Sequence, residues 1–437
     1  MNTPLRVALL GLGTVGSGTF TVLRNNAAEI ERRVGFPIEI KVVADLDTAK
    51  ARQVAGPEVE VSANAFDVVT RDDIDVVIEL IGGYTIAKQL VLAAIEAGKH
   101  VVTANKALLA VHGEEIFAAA ARKNVMVAFE AAVAGGIPVI KSIKEGLAAN
   151  QIEYVAGIIN GTCNFILSEM RDKGLPFADV LAQAQALGYA EADPTFDIEG
   201  IDAAHKITLL SALAFGMPVQ FDKAYVEGIT KLTKDDITFA EELGYRVKLL
   251  GITRRTSEGV ELRVHPTMIP AKRLIANVEG VMNAVLVKGN AVGPTLYYGA
   301  GAGSLPTASA VVADIIEIAR MNAAPIECRT PVLAFRSEAA QAIPMLSIDQ
   351  VVTAYYLRMQ VADRPGVLAE VSTILAKHSI SIAAMIQHQP SQEGASAQIV
   401  LLTQRCVEGE INQALAKIEA LDSVLDKVVR IRVEDLS

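Results

Sequence analysis

Five acidic residues, Glu191, Asp193, Asp197, Glu199 and Asp202, crowd the stretch GYAEADPTFDIEGIDAAHKITLL (residues 188–210), which then turns into an apolar helix carrying Lys206. Asp202 and Lys206 are four apart, so a helix sets them on one face. A carboxylate beside an amine can carry a proton to or from a carbonyl oxygen. The same pattern also describes a solvated ion pair behind an acidic loop, so a chemical reading needs a second signal.

That signal is GLGTVG at 11–16, which follows an apolar run at 5–10 and opens a helical stretch. Gly11 permits the tight turn, Gly13 lets the backbone approach a pyrophosphate, and Gly16 allows close helix–strand packing. The helix N-terminus adds free N–H groups and a positive dipole. In this context the motif reads as dinucleotide binding. Asp45, after the second strand, is placed to hold an adenosine ribose, with Asp47 as competitor. Lys50 and Arg52 lie just beyond and could reach a 2′-phosphate, so NAD and NADP both stay open. TANKA at 103–107 closes another strand, and Lys106 there can reach both the nicotinamide end and a substrate carboxylate or carbonyl. NGTCNFIL at 160–167 is a tight polar loop before a helix and a candidate wall of the site. Cys163 within it has no histidine placed as a partner. His205 points to a different helix face from Lys206 and reads as packing or surface, and the histidines form no metal-ligand pattern.

The elements that must position these groups alternate. Strands are expected at 5–10, 38–45, 75–81, 100–103 and 125–129, with helices over 17–33, 87–97 and 117–123. Such alternation implies parallel βαβ units and an α/β, Rossmann-type doubly wound sheet. It spans 1–135 and is completed by about 306–340. Residues 136–305 mix helices (177–187, 202–215) with amphipathic strands (151–159, 259–267), the texture of an α+β domain. A linker over 341–350 leads to residues 351–437, which read as βαββαβ.

Composition bounds the function. The chain has 437 residues, 51% hydrophobic and 21% charged, enough for large buried cores. A formal net charge of −10 argues against nucleic-acid or anionic-membrane partners. No apolar run is long enough to span a bilayer, and no signal peptide precedes the first strand. Three scattered cysteines, Cys163, Cys328 and Cys406, fit a reducing cytoplasm.

Together GLGTVG, TANKA, FEAAVAGGIPVI (129–140), NGTCNFIL, GYAEADPTFDIEGIDAAHK (188–206) and GAGAGSLPTASAV (299–311) resemble homoserine dehydrogenases over roughly residues 5–340. DRPGVL at 363–368, opening the first helix of the βαββαβ unit, resembles an ACT domain. The resemblance implies a monofunctional bacterial form that interconverts homoserine and aspartate 4-semialdehyde with NAD(P), in threonine, methionine and isoleucine biosynthesis. It implies that 136–305 is a catalytic and dimerisation domain. It makes Lys206 the proton donor, Asp202 its holder and Lys106 a contact to substrate and cofactor. Glu191, with Asp197 nearby, would bind the substrate's ammonium group. Gly11, Gly13, Thr14, Val15, Gly16, Asp45, Thr103, Lys106 and Gly303 would line the cofactor. It further implies a monovalent cation, sodium, held at Glu130, Val133, Gly135 and Ile137, mostly through backbone carbonyls. Threonine is the implied effector of the ACT module, and a homodimer or homotetramer the implied assembly.

Two other readings compete: a cofactor-binding sensor that reports amino-acid level without catalysis, and a dehydrogenase of another amino-acid intermediate. Glu191, Asp202 and Lys206 discriminate, since a sensor has no need of a lysine held at the crevice.

Overall fold

The computed structural model describes residues 3–322, 324–336, 343–387 and 396–437. Residues 341 and 342 of the expected linker, and 337–340 just before it, lie outside the described residues. The N-terminal sheet is parallel, with strands β1 (Leu5–Leu10), β2 (Ile38–Ala44), β3 (Glu60–Ser62), β4 (Val76–Glu79), β5 (His100–Thr103) and β6 (Val127–Ala128). Their order is β3-β2-β1-β4-β5-β6, the doubly wound arrangement whose order reverses beside β1. β1 and β4 are near-continuous apolar runs because helices cover both faces.

Several elements differ from expectation for local reasons. β4 ends at Glu79 rather than residue 81, because the chain bends through Gly82 and Gly83, both at positive φ. The first helical stretch breaks into Thr14–Asn25 and Ala27–Val34 at Asn26, a poor helix former. The helix expected at 117–123 begins at Lys106, where the Asn105 side chain caps it by accepting from Leu108 N. The three-residue β3 carries too little periodicity to be foreseen, and Lys50 and Arg52 lie on the helix Thr48–Ala55.

The helix Ser304–Met321 returns to this sheet and packs on Thr14–Asn25. A Cβ at Gly18 would lie 2.6 Å from the Ser304 carbonyl oxygen, so only glycine permits that approach. Val7, Leu9, Ile78, Val102, Val311 and Ile315 meet in one core, each fully buried side chain contributing about 1.5–3 kcal/mol.

The chain packs as two compact units. One holds Met1–Gly161, Asp202–Asp222 and Met282–Ile343, and the other Thr162–Ile201, Lys223–Val281 and Pro344–Ser437. The stretch 136–305 is thus shared between them. The first unit adds an antiparallel trio, Ile152–Ile158, Met282–Gly289 and Gly293–Ala300.

In the second unit the βαββαβ order is Val352–Ala362, Val367–Lys377, Ile382–Gln387, Ser396–Thr403, Glu408–Ile418 and Val429–Val433, with a short bridge strand at Cys406–Val407. Its last strand lies antiparallel to Val352–Ala362 on one side. On the other it pairs in parallel with Val260–Pro270, in register Thr267 to Arg432 and Met268 to Val433. The C-terminal module therefore continues the sheet begun by the hairpin Tyr245–Arg255 and Val260–Pro270.

Buried ion pairs flank this junction. Arg432 donates to Glu408 and to Glu227. Glu434 accepts from Arg263 at 2.5 Å and Arg254 at 2.8 Å. Burial pushes the Glu434 carboxyl up, but Arg263 and Arg254 outweigh it and hold it at about 2. A carboxyl depressed on folding stabilises above its ordinary pKa and loses that contribution as pH falls toward its folded value. The second unit should therefore lose stability between about pH 4.5 and pH 2. Thermal melts of Glu434→Gln should show a lower Tm at neutral pH and a shallower decline across that window. A decline as steep as wild type would assign acid sensitivity elsewhere.

Candidate active site

The glycine turn follows β1 at the carboxyl edge of the sheet. Gly11 sits at φ +88°, and a Cβ there would lie 2.8 Å from the Leu80 carbonyl oxygen. A Cβ on Gly16 would lie 1.9 Å from the Gly11 carbonyl oxygen. Gly13 has nothing within 4 Å of its would-be Cβ, so the space it leaves opens outward to a ligand. The next backbone hydrogen bond is Ser17 N to Gly13 O, so the N–H groups of Thr14, Val15 and Gly16 lie in the unpaired first turn of the helix. That turn is an anion site in kind. Ser304 Oγ donates to Thr14 O, bringing Gly303, the residue before that helix, to the same loop.

A cavity of about 580 Å3 opens beside it, lined among others by Gly11, Gly13, Asp45, Asp47, Lys50 and Ile81. Its size and its glycine-floored edge fit the adenosine end of a dinucleotide. Asp45 accepts from Leu12 N at 2.6 Å and from Asp47 N at 2.9 Å, so it is fixed to the glycine turn. Lys50 lines the cavity, and Arg52 Nη1 donates to the Gly56 and Val59 carbonyls. Thr103 is fully buried, with its hydroxyl donating to Glu79.

The acid–base cluster gathers on Asp202, near the start of the helix Ile201–Phe215. Lys206 Nζ donates to Asp202 Oδ2 and to the Ile159 carbonyl, both at 2.7 Å. Asn160 Nδ2 donates to the same Oδ2 at 2.9 Å. Lys106 Nζ lies 3.1 Å from Oδ1. Burial raises the Asp202 carboxyl, yet the Lys206 and Lys106 ammonium groups and the hydrogen bonds from Lys206 and Asn160 hold it far below the carboxylate range. One carboxylate thus restrains two cations, and their side chains remain 12% and 30% exposed. Such a pair can neutralise a developing alkoxide and deliver a proton to it. The i,i+4 spacing predicted Asp202 with Lys206. It could not place Lys106 on the same carboxylate, nor the Asn160 side chain, because those contacts close loops of 96 and 42 residues.

His205 lies on a different face of the helix, buried against Phe221 with ring centroids 4.3 Å apart. Burial first, then the neighbouring Lys106 charge, pulls it down to about 4, so it is a neutral packing residue.

In the second unit Asp197 accepts from Thr162 Oγ1 at 3.1 Å, and the same hydroxyl donates to Tyr189 O at 2.7 Å. Cys163 is fully buried with Sγ 3.2 Å from Asp197 O, which makes it a packing group beneath the acidic loop. Glu191 on that loop is exposed.

At residues 130–137 the chain is sharply bent, with Ala134 and Gly135 both at positive φ. A Cβ at Gly135 would lie 2.4 Å from the Gly301 carbonyl oxygen. Glu130 accepts from Ile140 N and Lys141 N, and its own N–H donates to Asp314. Burial pushes Glu130 up to about 7 and Asp314 up to about 8. Among the described residues, no hydrogen bond is made to the Val133 or Gly135 carbonyl, whereas the Glu130 and Ile137 carbonyls accept from Val133 N and Val139 N. Val133 and Gly135 are buried residues of the same turn as Glu130, and carbonyl and carboxyl oxygens are the donor type a hard cation takes.

The family model described as homoserine dehydrogenase matches residues 138–316. The one described as homoserine dehydrogenase, NAD binding domain, matches 11–130, and an ACT domain matches 355–423. A homoserine dehydrogenase of Pseudomonas aeruginosa is 60% identical over 435 residues, covering 99% of this chain and 100% of that protein. One from Neisseria gonorrhoeae is 59% identical over 99% of each. The crystal structure of a homoserine dehydrogenase from Thiobacillus denitrificans is 61% identical with a TM-score of 0.95, covering 100% of this chain and 99% of that one.

Proposed function

The chain belongs to the homoserine dehydrogenase family, an NAD(P)-dependent oxidoreductase with an ACT module, and from that premise we propose the roles of its residues. Lys206 gives a proton to the carbonyl oxygen of aspartate 4-semialdehyde and takes it back in the oxidation of homoserine. Asp202 and the Ile159 carbonyl fix its ammonium group. Lys106 supplies a second positive charge to the growing alkoxide. Glu191, with Asp197 nearby on the same acidic stretch, receives the substrate ammonium. A nicotinamide dinucleotide bound along the 11–16 turn supplies or accepts the hydride. Gly11, Gly13, Thr14, Val15 and Gly16 cradle its phosphates, and Asp45 and Gly303 border it.

The observation that carries this reading is the sharing of Asp202 by two lysines. Homoserine offered with NAD or NADP in separate assays tests it through the absorbance of reduced nicotinamide. No reduction with either, despite measurable cofactor binding, would return the sensor reading or move the substrate to another amino-acid intermediate.

Cofactor choice is read as resting on Lys50, the one cation lining the adenosine cavity among the described residues. Lys50→Ala should raise KM for NADP about tenfold, the loss of one partly exposed charged hydrogen bond, and leave KM for NAD within about twofold. Equal change in both would free Lys50 of any role with a 2′-phosphate.

The Glu130, Val133, Gly135 and Ile137 turn is read as the seat of a monovalent cation, sodium, that stiffens the bend, supported by the two open carbonyls. The ACT module is read as a threonine sensor feeding back on threonine, methionine and isoleucine synthesis, in a cytoplasmic homodimer or homotetramer. Activity unchanged across a wide threonine range would remove that effector. Among the described residues no helix is long and apolar enough to cross a membrane.

A further inference from the structure

The last residues of β4 and β5 are Glu79 and Thr103, and they stand side by side in register at the carboxyl edge of the sheet. The β1 partner of Glu79 is Leu10, immediately before the glycine turn. Glu79 is fully buried, and every bond it makes among the described residues comes from a neutral donor. Its Oε1 accepts from Ile81 N at 2.9 Å and Gly82 N at 3.2 Å. Its Oε2 accepts from Thr103 Oγ1 at 2.7 Å.

These bonds lead into two loops. On one side they fold the 80–83 turn back over the strand end. On the other, Thr103 Oγ1 accepts from Asn105 N at 3.0 Å. Asn105 then caps the helix that Lys106 begins, through Leu108 N at 3.1 Å, and its amide donates to the Gly83 carbonyl, closing the ring between the loops. Lys106 is the next residue, and its ammonium group is the one 3.1 Å from Asp202. A carboxylate suits the root of this ring because it only accepts, so all three donors can point at it. An amide there would turn its NH2 on one of them and leave a buried proton without an acceptor.

We propose that Glu79 is a positioning residue for the dehydrogenase reaction: by fastening the 80–83 turn and the Thr103–Asn105 loop to one buried carboxylate, it sets where Lys106 meets Asp202 and the substrate. This rests on the reading of Lys106 as part of the catalytic pair. Nothing in the local sequence DVVIELIGG distinguishes Glu79 from a strand-end residue facing water. Its role comes from β5, 24 positions away.

A double-mutant cycle with Lys106 tests it, using the full-length enzyme. Displacing a catalytic group by about 1 Å costs on the order of a hundredfold. Glu79→Gln should therefore lower kcat for homoserine by about ten- to a hundredfold, and Thr103→Val, which cuts the same ring at its next link, should do likewise. In a Lys106→Met background the same Glu79→Gln change should alter the residual kcat by less than about threefold, because the group it positions is gone. Its effect on Tm should be equal in both backgrounds, which separates positioning from stability. A Glu79→Gln loss as large without Lys106 as with it overturns the proposal, as does wild-type kcat in Glu79→Gln. Full turnover in Lys106→Met alone would bring down the catalytic reading of Lys106 and this inference with it. A crippled Lys106→Met with an additive Glu79→Gln brings down the inference alone.

Discussion

Lys206→Met should lower kcat for homoserine oxidation by about 10³-fold or more while leaving the cofactor dissociation constant within about twofold. Proton transfer by a positioned side chain is worth about 10²–10⁴, and loss of one preorganised donor at a developing oxyanion about 10²–10³. The two overlap in one ammonium group, so the sum stops short of their product. Methionine keeps the length and apolar stem of the lysine, and Asp202 retains Asn160 and Lys106 as partners. Little reason remains for the helix to move. Lys206 donates to Asp202 and to the Ile159 carbonyl, neither of them in the glycine turn, so binding of the dinucleotide should survive. Steady-state rates and a fluorescence titration of the cofactor check this together. A kcat within tenfold of wild type would strip Lys206 of its acid–base role, and a parallel loss of cofactor affinity would make it structural.

Asp202→Asn should cost both rate and stability. The carboxylate is 5% exposed and answers two ammonium groups. Its neutral replacement leaves both cations facing an amide that must turn an NH2 toward one of them. Breaking a buried pair costs about 3–5 kcal/mol, and the path to water that both lysines keep puts the expected loss near 3 kcal/mol. The rate should fall about a hundredfold, since Lys206 loses the bond that aims it. The pH dependence carries a signature. Because the Asp202 carboxyl is depressed in the folded protein, its stabilisation is present above the ordinary carboxylate pKa and fades as pH falls. The Tm gap between wild type and Asp202→Asn should be constant above about pH 5 and narrow below about pH 4. A gap that does not narrow in acid would mean the variant fails for steric reasons.

Local chemistry made part of this site legible in the sequence. GLGTVG needs only six consecutive residues, and Asp202 with Lys206 needs only helical spacing. Both relations are short-range and periodic. The rest depends on chain closure. Lys106 finds Asp202 across 96 residues, Asn160 finds it across 42, and Glu79 gains its partner from the neighbouring strand. The bonds from Arg52 Nη1 to the Gly56 and Val59 carbonyls were equally out of reach of the sequence. Glu60–Ser62 escaped notice because a three-residue strand shows hardly one full alternation. The βαββαβ order was readable from hydrophobic alternation, but the pairing of its last strand with Val260–Pro270 was not, since register between distant strands leaves no mark in either one.

That pairing bears on how such an enzyme can be re-engineered. A regulatory cassette joined by a tether can be cut away at the tether. Here the strand Val429–Val433 is an interior plank of the sheet, and Arg432 and Glu434 are bolted into carboxylates and guanidinium groups contributed by residues 227–263. A stop codon near residue 350 would bare the ladder edge of Val260–Pro270, an invitation to intermolecular pairing, and would take Glu434 from Arg254 and Arg263 and Arg432 from Glu227 at once. Relief from any effector sensed by the ACT module is therefore a matter for point changes on its outer face, with the final strand left in place.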